Sequence, residues 1–92
     1  MEFIQEKLKE TNKRLKKLEK RRDYLKNKIE ECEFLLEIYL KLNRDNMFDK
    51  DIEKLEKELK IRKNKLSFLE KEIEKCCALQ LELLYRMKSP KI

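Results

Sequence analysis

Three thiols, nineteen carboxylates, two serines and no histidine are the groups with which this chain could do chemistry. Triad-type nucleophilic catalysis needs a base beside the nucleophile, and without an imidazole that base is missing. Ser67 and Ser89 sit in no nucleophile-elbow motif. A glycine-free chain cannot build a phosphate-cradling loop. Cys32, Cys76 and Cys77 form no CxxC pair and have no histidine to share a metal with. An odd count in a chain whose N-terminus lacks a secretory signal argues against a disulfide framework, so the thiols read as small buried hydrophobes. Carboxylates perform acid–base work only where an enclosed pocket shifts their pKa. The expectation is a non-enzymatic protein with no cofactor, no metal and no small-molecule substrate.

Charge offers binding rather than catalysis. Between Lys7 and Lys28 eleven Lys/Arg stand against three acids. Lys13, Arg14, Lys16, Lys17, Lys20 and Arg21 are the centre of that stretch and the candidate contacts to an anionic partner, either nucleic acid or the ribosome on the one hand or an acidic protein segment on the other. These cations occupy nearly all outward faces of a helix, no aromatic interleaving for base stacking is evident, and no nucleic-acid-binding signature is present. A solvated helix face enriched by codon bias accounts for the stretch equally well.

The elements that must carry these residues follow from the apolar repeat. Ile4, Leu8, Thr11, Leu15, Leu18, Arg22, Leu25, Ile29, Cys32, Leu36 and Tyr39 recur at alternating steps of four and three. Ile52, Leu55, Leu59, Arg62, Leu66, Leu69, Ile73, Cys76, Gln80, Leu83 and Met87 repeat the pattern. A period of 3.5 sustained over about five heptads in each half is the signature of a coiled coil. No glycine, a single proline and a charged fraction of 48% agree with long helices and not with a β-rich domain. Between the two series lies Asn43-Arg44-Asp45-Asn46-Met47-Phe48-Asp49-Lys50-Asp51, where five Asn/Asp in nine residues favour turns and N-caps.

The predicted fold class is all-α: a single domain forming a long antiparallel two-helix coiled-coil hairpin. Helix 1 covers about 2–42, the loop about 43–48 and helix 2 about 49–88, capped by Asn46, Asp49 or Asp51, with a short tail at 89–92. Ser89-Pro90 reads as a helix stop more readily than as a proline-directed phosphorylation site. Two core registers are possible, with facing residue numbers summing to 91 or 98. The first is preferred for its flanking pairs Glu33–Lys63, Lys26–Glu70 and Arg21–Glu72. It also sets Thr11 opposite Gln80 as a polar layer that fixes alignment at some cost in stability.

One seam leaves apolar residues over. Phe34, Leu35, Ile38, Leu40 and Leu42 cluster beside the loop, and Cys77, Ala78, Leu79, Leu81, Leu84 and Tyr85 cluster toward the C-terminus. Helices apolar over more than half their circumference pack on more than one side. Phe34, Leu35, Ile38, Leu42, Leu79, Leu81, Leu84 and Tyr85 are therefore the expected protein-binding residues, in a four-helix bundle or a larger helical assembly. The alternative is local over-wide packing of the seam. No segment reaches the apolar length of a membrane span, and the acidic start, Met1-Glu2-Phe3-Ile4-Gln5-Glu6, resembles neither a secretory signal nor a transit peptide. The expected location is the cytoplasm, with the nucleus as an alternative.

In outline residues 14–84 resemble small helical-hairpin chaperones such as tubulin-binding cofactor A: two long helices, a short polar loop and the seam Ile52, Leu59, Leu66, Ile73. The resemblance implies a holdase-like activity as a further alternative. Ser67 stands where that family carries a proline in its second helix.

Overall fold

A computed structural model describes residues 2–88, Glu2 by its backbone alone. Helix α1 runs Glu2–Leu42 and helix α2 runs Asp49–Lys88. They lie antiparallel and give an elongated body of 75 × 16 × 14 Å. The Ser89-Pro90 tail lies outside the described residues.

The reversal is built from Asn and Asp. Met47 N donates to Arg44 O at 3.2 Å, closing a tight turn whose central residues, Asp45 and Asn46, both have positive φ (53° and 59°). Asn and Asp tolerate this left-handed region better than other non-glycine residues, which is how a glycine-free chain turns so sharply. The start of α2 corrects the expected cap. No side chain of Asn46, Asp49 or Asp51 accepts a first-turn amide; Asn43 instead pins the residue that precedes the helix, and the first turn with it, from across the loop. Its Oδ1 accepts the Phe48 amide at 2.8 Å and its Nδ2 donates to Asp49 Oδ1 at 2.9 Å. Asp49 and Asp51 instead sit in the first turn, where their charge complements the helix dipole. Tyr39 and Phe48 close the end of the core, ring centroids 5.1 Å apart. Asn43→Ala removes both loop bonds and leaves the Phe48 amide without its partner. A loss of about 1–2 kcal/mol in urea-induced unfolding is expected, while an unchanged midpoint would show the turn holding itself.

Along the seam Leu18, Ile73 and Cys76 form the best-covered cluster, flanked by Leu15, Leu69 and Cys77. Ile29, Cys32, Ile52 and Leu83 are buried above and below it. Leu18 with Ile73 is the facing pair expected where residue numbers sum to 91. Ion pairs between the two helices bracket the same register. Arg14 meets Glu72 at 3.3 Å on one flank of the seam, and Lys63 meets Glu33 at 3.9 Å on the other.

Two of the expected flanking pairs do not form. Lys26 and Glu70 do not come within ion-pair distance, and Glu72 is bound by Arg14 and Lys75 rather than by Arg21. In this register Arg21 comes level with Glu70, and its neighbour along the Arg14 flank is Lys65, one heptad from Glu72. Thr11 and Gln80 also fail to pair. Thr11 is buried, but its hydroxyl donates to Lys7 O, 2.7 Å away within its own helix. Gln80 instead donates to Asn12 Oδ1 at 2.7 Å. The layer is satisfied without a Thr–Gln bond, because threonine in a helix reaches its own preceding carbonyl more easily than a side chain across the seam.

The thiols line this core and are free. Cys32 Sγ donates to Leu55 O and Cys76 Sγ to Thr11 O, each at 3.4 Å. Burial pushes the Cys76 thiol above its ordinary 9.0; Arg14 opposes this, and Cys77 and Glu19 add to it. Below the ordinary value both folded and unfolded chains keep this proton. Above it the unfolded chain ionises first and binds fewer protons, so stability falls as pH rises. Cys77, which is half-buried, is expected to react first with a thiol reagent at neutral pH, with Cys32 and Cys76 following only as the hairpin opens. Mass spectrometry of alkylated peptides checks the order; equal rates at all three would contradict it.

Candidate interaction surfaces

The two flanks of the seam sort the remaining side chains. Residues spaced by sevens from Arg14 and Glu72, or four to the outside of them, share one flank. It carries Leu35, Leu42, Tyr24 and Ile38 from α1, and Ile61, Phe68 and Leu79 from α2. The Glu33–Lys63 flank carries Leu40, Cys77, Leu81 and Leu84, while Phe34, Ala78 and Tyr85 point to the backs of the helices.

The expected protein-binding residues therefore divide. Leu35, Ile38 and Leu42 form a strip on the Arg14 flank beside the loop, the first and last of them exposed and Ile38 half-buried. Leu79 lies on that flank at the far end. Leu81 and the half-buried Leu84 lie on the opposite flank, and Phe34 and Tyr85 belong to neither. The hairpin does not gather the C-terminal cluster into one patch, because its residues are consecutive and a helix distributes consecutive side chains around its axis.

Midway along the Arg14 flank is an open groove of about 960 Å³, floored by Leu18, Leu25 and Leu69 and walled by Tyr24 and Phe68. The two rings are 64% and 68% exposed. Lys28 Nζ stands 5.6 Å from the Tyr24 centroid, within cation–π range. Arg14, Lys20, Arg21 and Lys65 edge the same groove. Of the six cations expected to meet an anionic partner, Arg14, Lys17, Lys20 and Arg21 share a recess over Leu18. Lys13 and Lys16 line neither hollow. The absence of interleaved aromatics expected for the basic stretch is corrected here. Tyr24 lies inside that stretch, and the fold-back brings Phe68, forty-four residues away in sequence, to the same level. The numbers 24 and 68 nearly satisfy the facing rule, so the pair could have been found once the register was chosen.

Among the described residues no three His, Cys, Asp or Glu are gathered as metal ligands, and no helix is long and apolar enough to cross a membrane. No family model, no curated protein and no solved structure matches the chain, and its surfaces alone carry the functional argument.

Proposed function

We propose that this chain is a non-enzymatic interaction and assembly module, a coiled-coil subunit that oligomerises or docks into a larger complex. The supporting observation is the number of large apolar side chains that the single seam leaves in water. Phe34, Leu35, Leu40, Leu42, Phe68, Leu81 and Tyr85 are all exposed on a body only 16 Å wide. Apolar area on this scale marks surfaces that are covered in the working state, and a two-helix domain has little core to spare for it.

The test is the assembly state of the intact chain and of a Leu35→Ser, Leu79→Ser, Leu84→Ser variant, purified from cells with whatever it holds stoichiometrically. Assembly, with itself or with a fixed partner, is expected for the intact chain and lost in the variant. A chain that is monomeric and partnerless in both forms overturns the reading.

A second reading is favoured by one observation. Tyr24 and Phe68 bordered by Arg14, Lys20, Arg21 and Lys65 combine ring faces with cations, the combination that single-stranded nucleic acid requires. Retention on single-stranded RNA or DNA that falls steeply with salt, and is lost in Tyr24→Ala, Phe68→Ala, would support it.

A further inference from the structure

We infer that the Arg14 flank is the site of a second copy of this chain, packed antiparallel on the first to complete a four-helix bundle. The inference rests on the assembly reading above and names the partner.

Two features fit one two-fold axis, the charge of the hairpin's ends and the apolar run of that flank. The hairpin is electrically lopsided. Residues 29–62, the loop half, carry seven Lys/Arg against ten Asp/Glu. Residues 2–28 and 63–88, the open half, carry seventeen against nine. A second hairpin lying the same way would set like ends together, whereas a reversed one sets the basic end of each copy over the acidic end of the other.

The apolar groups obey the same axis. On the Arg14 flank they run from Leu42 at the loop through Ile38, Leu35 and Ile61 to the Tyr24–Phe68 groove, about 27 Å at helical rise. Reversing a copy about an axis near Ile61 lays its Leu35–Ile38–Leu42 strip into the Tyr24–Phe68 groove of the other copy, twice over. It also brings Ile61 against its own symmetry mate. The same rotation carries Lys17 and Arg21 to the level of Asp45 and Asp51 on the partner. No second rotation is needed to match the charges once the apolar groups are matched. A surface complementary to itself under a single rotation is what an isologous interface requires.

The area is sufficient. The overlap spans about 30 residues of each helix level, or about 45 Å by 16 Å, giving roughly 1,400 Å² over both copies, within the range of stable specific interfaces. Tyr24 and Phe68 are the anchors, since exposed rings that enter a partner's apolar surface carry most of the affinity of such contacts. The acidic loop end favours this occupant over nucleic acid, whose phosphates it would repel. The opposite flank stays free for other partners.

Sedimentation equilibrium of the full chain is expected to show a reversible dimer of twice 11.4 kDa. Tyr24→Ala, Phe68→Ala should weaken the dimer at least about thirtyfold. Because both rings are exposed, the variant should remain fully helical by circular dichroism. A charge exchange gives a second arm. Lys17→Glu, Arg21→Glu and, in another chain, Asp51→Lys with Glu58→Lys one heptad along the same flank should each be monomeric alone. Mixed in equal amounts, the two should pair, because each supplies at both ends the sign that the other lacks. The inference is overturned by a dimer indifferent to Tyr24 and Phe68, by helical charge variants that stay apart when mixed, or by a groove that binds a single-stranded oligonucleotide through the two rings while the protein is monomeric. A monomer that still holds a stoichiometric partner through Leu79, Leu81 and Leu84 also overturns it, but leaves the assembly reading standing. A monomer with no partner removes both.

Discussion

Leu18→Ala and Ile73→Ala together are expected to take the hairpin close to or past its limit of stability. The two side chains face each other across the seam and, with Cys76, form its best-covered cluster. Each truncation removes transferred apolar area and leaves a gap that rigid helices close only in part, about 2–3 kcal/mol apiece at the low end for core leucine and isoleucine. The low end applies because both residues keep 9% exposure. A small domain holds about 5 kcal/mol in all, so the double variant should have little helical signal left at modest urea. Since the two residues touch, the losses should add imperfectly, the second truncation costing less once the first has emptied the layer. A double variant that unfolds at nearly the wild-type urea concentration would mean that the seam does not hold the chain together.

The second large effect runs the other way. Arg22 and Arg62 occupy seam positions, level with Leu69 and Ile29 respectively in the register that the ion pairs define. Neither is buried as a charge. The Arg22 guanidinium reaches out to Asp23 at 3.4 Å with its stem along the seam, and Arg62 Nη1 donates to Lys28 O at 3.2 Å. Leucine at both sites would cover the adjacent core outright and forgo only these bonds. We expect Arg22→Leu, Arg62→Leu to raise stability by about 1–2 kcal/mol, seen as a higher urea midpoint with little change in slope. The expected accompaniment is a loss of uniqueness, with added self-association or register slippage, because polar seam residues restrict which alignments a coiled coil accepts. A midpoint that falls would assign the arginines a structural bond worth more than the buried leucines.

The architecture was legible because the seven-residue repeat is regular and interrupted once. A rotation of 100° per residue leaves an apolar stripe no other regular use, and the Asn/Asp-rich break at residues 43–51 names the place of reversal. The register was legible too, since Glu33–Lys63 decides between the alternatives. Finer contacts were not. Thr11 can bond its own helix or its neighbour, and repeat position does not choose. Asn43 reads as one more turn-former, and only the path of the loop aims it at Phe48 and Asp49. Arg14 takes Glu72 from Arg21 because long side chains on a flank have several acceptors of nearly equal worth, each exposed pair contributing about 0.2–1 kcal/mol. The Tyr24–Phe68 groove was missed for another reason. It is a property of two segments in register, and each ring read alone is an ordinary surface aromatic. The C-terminal apolar cluster shows the reverse, being contiguous in sequence but spread around the helix in space.

Every surface described here depends on the chain doubling back so that residue n lies beside residue 91 − n. Spin labels placed at positions 13 and 78 through unnatural amino acids, in protein diluted into an excess of unlabelled chain, report that geometry directly. Helices packed 8–10 Å apart place the labels about 20 Å from each other, allowing for the linkers. One uninterrupted rod would separate them by about 98 Å. A narrow distribution near the short distance is the predicted result, and a distribution lying wholly at long distance would contradict the hairpin and everything inferred from it.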